Sequence, residues 1–413
     1  MKTTCAILSL ALASSSFANE ALDLLAADAD TARSVFEEAA QLPTSGKKAS
    51  TTPEKKKHAE IDVQFPTRWR NQLLPRLEFT LPGGTVIAPR ALLEYQHHDR
   101  SIARNSKLSR SRIGAAIATY YGIEILADAL ISSDGDFQGW ENLRASIPLN
   151  DQLTLAAGKF PPPFSIEYTR DAAARWFPTL SPLASQLAPA SSLGLMVESS
   201  SDTFDWKLGW FSSDADRRLP SLNGSGYILA GASKTSNLGG SDDSPSPNFR
   251  RWHLDYIYNI DGATSESINL GYRHLLSAGT QYSSDKFDFY TEFLAGRSSD
   301  NTTVGITAAG AYWLLQDAVR LVGRYQYAVS REPGGVLSGF GIPDTGSDAV
   351  FPSDFPVFSA AEKVSSIYGG INIHLDDDHF IIGTGLEYRS LTDVVDEDDF
   401  SSWGWNTFAR YAF

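Results

Sequence analysis

The feature that most constrains this chain is a two-residue alternation of apolar and polar side chains, repeated from about position 88 in segments of about ten residues. Residues 320–327 and 403–413 show it most clearly. About sixteen such segments begin near residues 88, 108, 122, 137, 151, 191, 203, 226, 250, 266, 285, 303, 318, 363, 379 and 403. Strands of this length fit a tilted membrane crossing, whereas soluble β-sandwiches use shorter ones. The pattern predicts an all-β fold: a transmembrane antiparallel β-barrel of about 16 strands.

The two faces of these segments differ as a membrane barrel requires. One face is apolar and aromatic, as in Trp252, Leu254, Tyr256, Tyr258, Phe287, Phe289, Phe293, Leu321 and Tyr325. The opposite face carries charges, among them Arg110, Arg112, Glu124, Asp128, Asp288, Glu292, Arg320 and Arg324. Charges are expensive to bury in a small core but cost little in a water-filled lumen. The distribution therefore favours a pore over a soluble β-sandwich.

The connections between segments also alternate in length. Those after even-numbered segments are mostly tight, and several of those after odd-numbered segments are long: 165–190, 213–225, 330–362 and 390–402. Short turns on one side and long loops on the other are typical of outer-membrane barrels. Connection 233–249 is long on the tight side, which makes the segment near 226 the weakest strand prediction.

The N-terminus has the three parts of a secretory signal, so residues 1–18 are predicted to be a signal peptide. Lys2 gives a positive start, residues 6–13 are an apolar core, and residues 16–18 form a small-x-small cleavage site. Cys5 lies inside this signal, and it is the only cysteine. The mature chain is therefore expected to lack disulfides and thiolate sites.

Residues 19–60 are predicted to form a periplasmic helix and a lysine-rich linker, followed by the barrel domain at 61–413. Apolar residues from 22 to 39 recur at alternating steps of three and four, as in a short heptad seam. The linker interpretation is preferred, and a small helical bundle between protomers is the alternative.

Composition and motifs argue against other classes of function. With 35 Lys and Arg against 49 Asp and Glu, the chain has a net charge of −14, so no nucleic-acid partner is expected. His97 and His98 are the only adjacent histidines, and the acidic run 396–399 is most simply a solvated loop. No catalytic motif is present, so no enzyme activity, metal or cofactor is predicted.

The C-terminus ends an alternating strand on Phe413, with Tyr411 on the same face. This ending resembles the signal that the bacterial barrel-assembly machinery reads. Tyr411 and Phe413 are therefore predicted to act in assembly, and the localisation is predicted to be the bacterial outer membrane.

The third long-side loop carries a resemblance to a known family. It begins Gly-Lys-Phe-Pro-Pro-Pro-Phe-Ser-Ile-Glu at 158–167, passes Arg170, Arg175 and Trp176, and reaches Leu-Ala-Pro at 187–189. Together with Arg-Ser-Arg-Ile-Gly at 110–114, this order resembles the phosphate-selective porin O and P family. The resemblance covers roughly residues 88–413. It implies a homotrimeric 16-stranded barrel in outer-membrane lipid, a third loop folded into the pore, and passive diffusion, often of anions.

At two places where family members often carry arginine, this chain has residues 179–181 and 190–192 without one. The resemblance therefore supports a porin more strongly than it supports phosphate selectivity.

The function expected from the sequence is a channel for passive diffusion of small hydrophilic solutes with a weak preference for anions. Phosphate is a candidate among these anions. The pore constriction is predicted at Lys159, Arg170, Arg175, Arg110 and Arg112. The lumen wall is predicted to include Arg144, Arg320, Arg324, Arg273 and Arg410. Acidic residues on the same faces nearly balance these charges, so selectivity should depend on the narrowest point.

Three alternatives stay open at this stage. Arg170 and Arg175 could serve only to pin the loop by pairing with Glu167 and Asp171. The barrel could instead be specific for sugars or other ligands, or it could be an outer-membrane tether or adhesin.

Overall fold

The computed structural model describes residues 79–82, 84–100, 103–132, 134–201, 204–214, 226–238, 240–241, 244–245, 248–260, 272–299, 302–330, 335–337, 360–375, 379–394 and 399–412. The predicted signal peptide, helix and linker lie outside the described residues, and so does Phe413.

The described part of the chain is built almost entirely from strands. They are β1 (Phe79–Leu81), β2 (Thr85–Arg100), β3 (Ala103–Ala118), β4 (Glu124–Ile131), β5 (Phe137–Pro148), β6 (Leu153–Phe160), β7 (Ser192–Ser199), β8 (Phe204–Ser212), β9 (Gly226–Asn237), β10 (Gly240–Ser241), β11 (Ser244–Pro245), β12 (Phe249–Asn259), β13 (His274–Ser283), β14 (Phe287–Arg297), β15 (Thr302–Leu315), β16 (Val319–Ser330), β17 (Val336–Leu337), β18 (Ala360–Leu375), β19 (Phe380–Val394) and β20 (Phe400–Ala412). The helices are α1 (Ile166–Thr169), a 3-10 turn (Ala172–Ala174) and α2 (Pro182–Leu187). Within these residues, no helix has the length and apolar character needed to cross a bilayer.

Sixteen long strands among the described residues close into an antiparallel barrel, which confirms the predicted fold. Each long strand pairs with its neighbours in chain order, and β20 pairs with β2 through Ala412 and Leu92. Closure leaves none of the sixteen long strands at the edge of the sheet, as the absence of water in a bilayer core demands. The short strands β1 and β17 add to β2 and β18, respectively.

The sequence located the strands well, with two local exceptions. The weakest prediction, near residue 226, is correct, because β9 pairs with both β8 and β12. The connection after β9 is long because it contains the small β10–β11 hairpin. The tenth strand begins at His274 rather than near 266, and β19 extends to Val394, so the last long-side connection is shorter than predicted.

Side chains alternate across the barrel wall as predicted. On β20, Trp403 and Trp405 are exposed on the outside, and Tyr411 is 40% exposed there. Phe408 and Arg410, on the inner face of the same strand, are buried. The outer face is therefore suited to lipid, and the inner face combines charge with some large apolar side chains.

A glycine on β19 makes room for one of these inward aromatic rings. Gly383 is directly opposite Phe408, and a Cβ atom on Gly383 would lie 2.1 Å from Cε1 of that ring. Real Cβ atoms do not approach carbon this closely, so the ring depends on the missing side chain.

We expect Gly383→Ala to reduce barrel stability by about 1–3 kcal/mol, the usual cost of overpacking. Gly369→Ala is the matched control, because nothing lies within 4 Å of a Cβ there. Heat-modifiable migration of the outer-membrane fraction measures the folded amount. Equal folding of the two variants would contradict this account of Phe408.

Candidate functional site

The loop between β6 and β7, residues 161–191, folds into the barrel and is called the inward loop below. Three consecutive prolines, Pro161–Pro163, stiffen its entry, because each fixes its own φ angle. Ser165 then turns the chain with φ of 76°, an unusual value for a residue other than glycine, and caps α1 by accepting from Tyr168 N at 3.3 Å. The inward folding that the family resemblance implied is therefore present.

Two buried carboxylates on the wall hold this turn. Glu292 on β14 accepts hydrogen bonds from Ile166 N at 2.7 Å, Ser165 Oγ at 3.1 Å and Ser277 Oγ at 2.7 Å. Asp255 on β12 accepts one from Ser165 N at 3.3 Å. Neither carboxylate is more than 3% exposed. The strained turn is thus stabilised by charge-assisted hydrogen bonds to two strands.

Ion pairs fasten the next part of the inward loop to two further strands of the wall. Arg324 on β16 lies 2.7 Å from Glu167, and Arg112 on β3 lies 3.0 Å from Asp171. The acids of the loop therefore pair with arginines of the wall, rather than with the neighbouring Arg170 and Arg175.

Wall side chains also bind backbone carbonyls of the loop. Gln96 Nε2 donates to Pro178 O at 2.6 Å, Asn372 Nδ2 donates to Trp176 O at 2.9 Å, and Arg410 Nη1 donates to Arg175 O at 2.7 Å. These donors belong to β2, β18 and β20, on the side of the barrel away from Glu292 and Asp255. The inward loop thus crosses the lumen and is attached at both sides.

The second half of the inward loop is held by apolar packing. Leu183 and Leu187 of α2 are buried in a cluster with Leu275, Leu294, Val336, Val364 and Leu391, all at the end of the barrel that bears the long loops. A Cβ on Gly305 would lie 2.7 Å from Leu183 Cδ2, so this wall position also depends on glycine. This corrects the expectation of a water-filled lumen with its apolar residues outside. Here part of the lumen is a packed core, because the loop brings its own apolar helix.

Two of the cavities beside the inward loop lie nearer the tight-turn end of the barrel. The larger has a volume of about 280 Å³ and the smaller about 140 Å³. They adjoin, since Thr169, Arg170, Asp171 and Glu198 line both. Together they form open space beside this part of the loop.

The larger cavity is close to electrically balanced. Lys207 pairs with Asp255 at 2.7 Å, and Arg251 pairs with Asp205 at 3.2 Å. The smaller cavity is not balanced. Its lining has three carboxylates, Glu141, Asp171 and Glu198, against five arginines, Arg90, Arg112, Arg144, Arg170 and Arg175.

Arg170 and Arg175 differ from the other arginines of the lumen in their partners. Arg170 stacks on Trp176, with Cζ 3.8 Å from the ring centroid. Arg175 donates to backbone carbonyls, through Nε to Arg170 O at 3.3 Å and through Nη2 to Tyr168 O at 3.5 Å. Within the described residues, neither forms a salt bridge. No carboxylate among the described residues therefore forms an ion pair with either of them.

Burial lowers the pKa of the Arg170 guanidinium from its ordinary value, while Tyr290 and Glu167 nearby act in the opposite direction. An arginine pKa starts so high that the group still carries its charge at neutral pH. The charge at the junction of the two cavities is thus permanent.

The structure places the predicted constriction residues in different surroundings. Arg112 and Arg175 line the smaller cavity, and Arg170 lines both cavities. Lys159 is buried at the end of β6 and lines neither of these two. Arg110 lies in β3, and its side chain is outside the described residues.

The arginines predicted to line the lumen wall also lie in different surroundings. Arg144 lines the smaller cavity, and Arg320 pairs with Asp288. Arg410 pairs with Glu94, in addition to its contact with the loop. Arg273 precedes β13 and is exposed at the long-loop end, so it does not belong to the part of the wall that contacts the inward loop.

Sequence reasoning placed Glu292 on the inner face but did not identify its role, or that of Asp255, in holding the loop. It also missed Gln96 and Asn372 as donors to the loop backbone. The alternation indicated that Gln96 and Asn372 point inward. Their hydrogen-bond partners could not be predicted, because they lie on the inward loop, which has no periodic pattern.

Comparison with known proteins supports the fold. No family model matches the chain, and no curated protein matches its sequence significantly. Among solved structures, OprB of Pseudomonas putida has a TM-score of 0.55 at 11% identity, covering 80% of this chain and 94% of that one. A loop-deletion mutant of OmpT, an outer membrane protein of Vibrio cholerae, has a TM-score of 0.54 at 12% identity, covering 80% and 99%. An anion-selective porin from Comamonas acidovorans has a TM-score of 0.51 at 10% identity, covering 80% and 100%. This chain therefore has the sixteen-strand barrel fold of bacterial outer-membrane porins and channels.

Proposed function

We propose that this protein is an outer-membrane channel for passive diffusion of small hydrophilic solutes, with a weak preference for anions. The observation that carries the proposal is the smaller cavity beside the inward loop, where five arginines face three carboxylates. Charge matters most where a passage is narrow, because water and salt screen it least there.

The preference is weak because most charges of the lumen are already paired. Arg410 with Glu94, Arg389 with Glu387, Arg324 with Glu167 and Lys207 with Asp255 are buried ion pairs that leave little net field. Selectivity then depends on Arg170 and Arg175, which have no carboxylate partner among the described residues.

The finer assignments are part of the same proposal. Membership in the phosphate-selective porin O and P family rests on the motif order from Gly158 to Pro189, and phosphate is one candidate among small anions. A signal peptide at 1–18, a periplasmic helix and linker at 19–60 and a barrel domain at 61–413 follow from the sequence pattern. Assembly as a homotrimer follows from the family resemblance. Recognition of Tyr411 and Phe413 by the barrel-assembly machinery rests on the aromatic ending of the closing strand.

Reversal potentials in a KCl gradient across a planar bilayer test the channel and its selectivity. The wild type should favour chloride over potassium. Arg170→Gln and Arg175→Gln should each lower the ratio of anion to cation permeability by about two- to fivefold, since a unit charge at 4 Å is worth about 1 kcal/mol even in water. Substitution of Arg112 tests selectivity less cleanly, because Arg112 also forms the ion pair that holds Asp171 of the inward loop.

Arg250→Gln provides the control for that experiment. Arg250 is exposed on the outer face, with Cζ 4.2 Å from the Trp252 ring centroid, and it should not affect selectivity. Cation preference in the wild type, or equal effects of all three substitutions, would show that the proposal is wrong. A barrel that inserts but carries no current would instead favour the tether or adhesin alternative.

A further inference from the structure

The smaller cavity combines unneutralised arginines with an apolar wall, and this combination points to a class of solute. We propose that it binds organic carboxylates that carry one apolar ring or a short apolar chain, with the carboxylate on Arg170 and the apolar part against the proline entry of the inward loop. The inference rests on the proposed channel function and names its preferred substrate class.

The geometry of Arg170 leaves it ready to bind a carboxylate. Its flat face is occupied by Trp176 at 3.8 Å, and Tyr290 lies further along at 5.5 Å. Stacking uses the face of the guanidinium and leaves its five N–H donors free at the edge. No described residue accepts a hydrogen bond from them. A carboxylate fits this edge with two parallel hydrogen bonds.

Arg175 lines the same cavity and adds a second donor. Its Nε and Nη2 are directed to backbone carbonyls of the loop, whereas Nη1 has no acceptor among the described residues. The other three arginines of the cavity have contacts of their own: Arg112 pairs with Asp171, Arg90 lies 3.8 Å from Asp128, and Arg144 Cζ lies 5.4 Å from the Phe160 ring centroid. Arg170 and Arg175 are therefore the two arginines positioned to hold an incoming anion.

The same cavity also has apolar lining residues that suit an apolar body. Pro161–Pro163, Tyr168, Leu126 and Met196 contribute to its lining. Its volume of about 140 Å³ is close to the roughly 150 Å³ of a protein cavity that accommodates benzene. An apolar ring of that size would leave water and contact these apolar side chains, which is favourable. A chloride or phosphate ion has no apolar surface to bury. A sugar would lose hydrogen bonds to water against the same wall without replacement.

Titration of the folded, full-length protein in detergent with sodium benzoate and with sodium acetate, at neutral pH, tests the inference. Benzoate should bind at least tenfold more tightly than acetate, because burying a ring the size of a Phe side chain is worth about 1.5–3 kcal/mol. Calorimetry provides the dissociation constants directly and does not depend on current through the pore.

Two variants separate the charged and apolar parts of the site. Arg170→Gln should weaken both ligands by about tenfold, as expected for a lost charge-assisted pair. Leu126→Asn, which keeps side-chain size, should weaken benzoate alone and reduce its advantage over acetate. Arg175→Gln replaces Arg170→Gln if that variant does not fold, and Arg250→Gln should match the wild type.

The outcomes distinguish this inference from the proposed function. Equal binding of benzoate and acetate, no binding of benzoate, or an unchanged ratio in Leu126→Asn would overturn the inference. If the inference fails but the KCl reversal potential still shows anion preference, the proposed channel function is retained without the carboxylate-binding site. Cation preference together with tight benzoate binding would overturn the channel's selectivity and leave the binding site.

Discussion

A Glu292→Ala channel should carry a larger and less steady current than the wild type. Glu292 accepts hydrogen bonds from Ile166 N, Ser165 Oγ and Ser277 Oγ, and its removal leaves these donors without an acceptor in a buried place. Each such loss costs about 1–3 kcal/mol. Ser165 would then relax from its φ of 76°, which is a source of strain in the wild type. The start of the inward loop should leave the wall and widen the passage.

Single-channel recording in planar bilayers measures this effect as mean conductance and as the variance of the open level. Glu362→Ala is the matched control. Glu362 is an exposed carboxylate near the start of β18, so this substitution removes the same chemical group away from the loop. Glu292→Gln keeps one acceptor oxygen, so its conductance and variance should lie between those of Glu292→Ala and of the control variant. An unchanged open level in Glu292→Ala would mean that the loop is held well enough by its ion pairs and by α2.

The second large effect is expected at Arg324, in a buried ion pair with Glu167. The side chains are 1% and 5% exposed, and Nη1 of Arg324 also donates to Thr179 O at 2.8 Å. Arg324→Met removes one partner and leaves a carboxylate buried without its cation. Breaking a buried pair in this way destabilises proteins by about 3–5 kcal/mol. We expect a loss of this size in the free energy of unfolding by urea.

A double variant shows whether the stranded charge is the cause. Arg324→Met combined with Glu167→Gln removes both charges of this pair and strands neither, so it should be more stable than Arg324→Met alone. The neutral side chain can still accept from Ser181 N, which lies 2.9 Å from Glu167 Oε1. Arg250→Met, on the outer face, serves as the control for the loss of an arginine. If the double variant is as unstable as the sum of the two single ones, the pair does not act as a unit.

The barrel itself was readable from the sequence to a large extent. The start of fifteen of the sixteen long strands falls within a few residues of its prediction, and only β13 begins clearly later. The inward placement of Arg112, Arg320, Arg324 and Arg410 followed from the same alternation. These predictions succeed because side-chain direction in a strand has a period of two, and because lipid demands one apolar face and a closed edge.

The interior was less readable. The inward register of Phe211 and Tyr290 could be read from the alternation, but not their burial among other apolar groups. The apolar core around Leu183 and Leu187 was not predicted. A residue on an inner face can meet water, a charge or another apolar group, and the alternation is the same in each case.

The sequence alone determined the strand order and the two faces of the wall, because each is set by local periodicity. The loop that enters the lumen was expected only from the family resemblance. Only the tertiary structure decided which charges are neutralised. Glu167 and Arg324 are 157 residues apart, and Ser165 and Glu292 are 127 apart. Their pairing depends on the path of the inward loop across the lumen, and that path depends on shape and packing, which carry no periodic signal. For the same physical reason, the two arginines that have no carboxylate partner in the described part of the chain could be recognised only once the loop was in place.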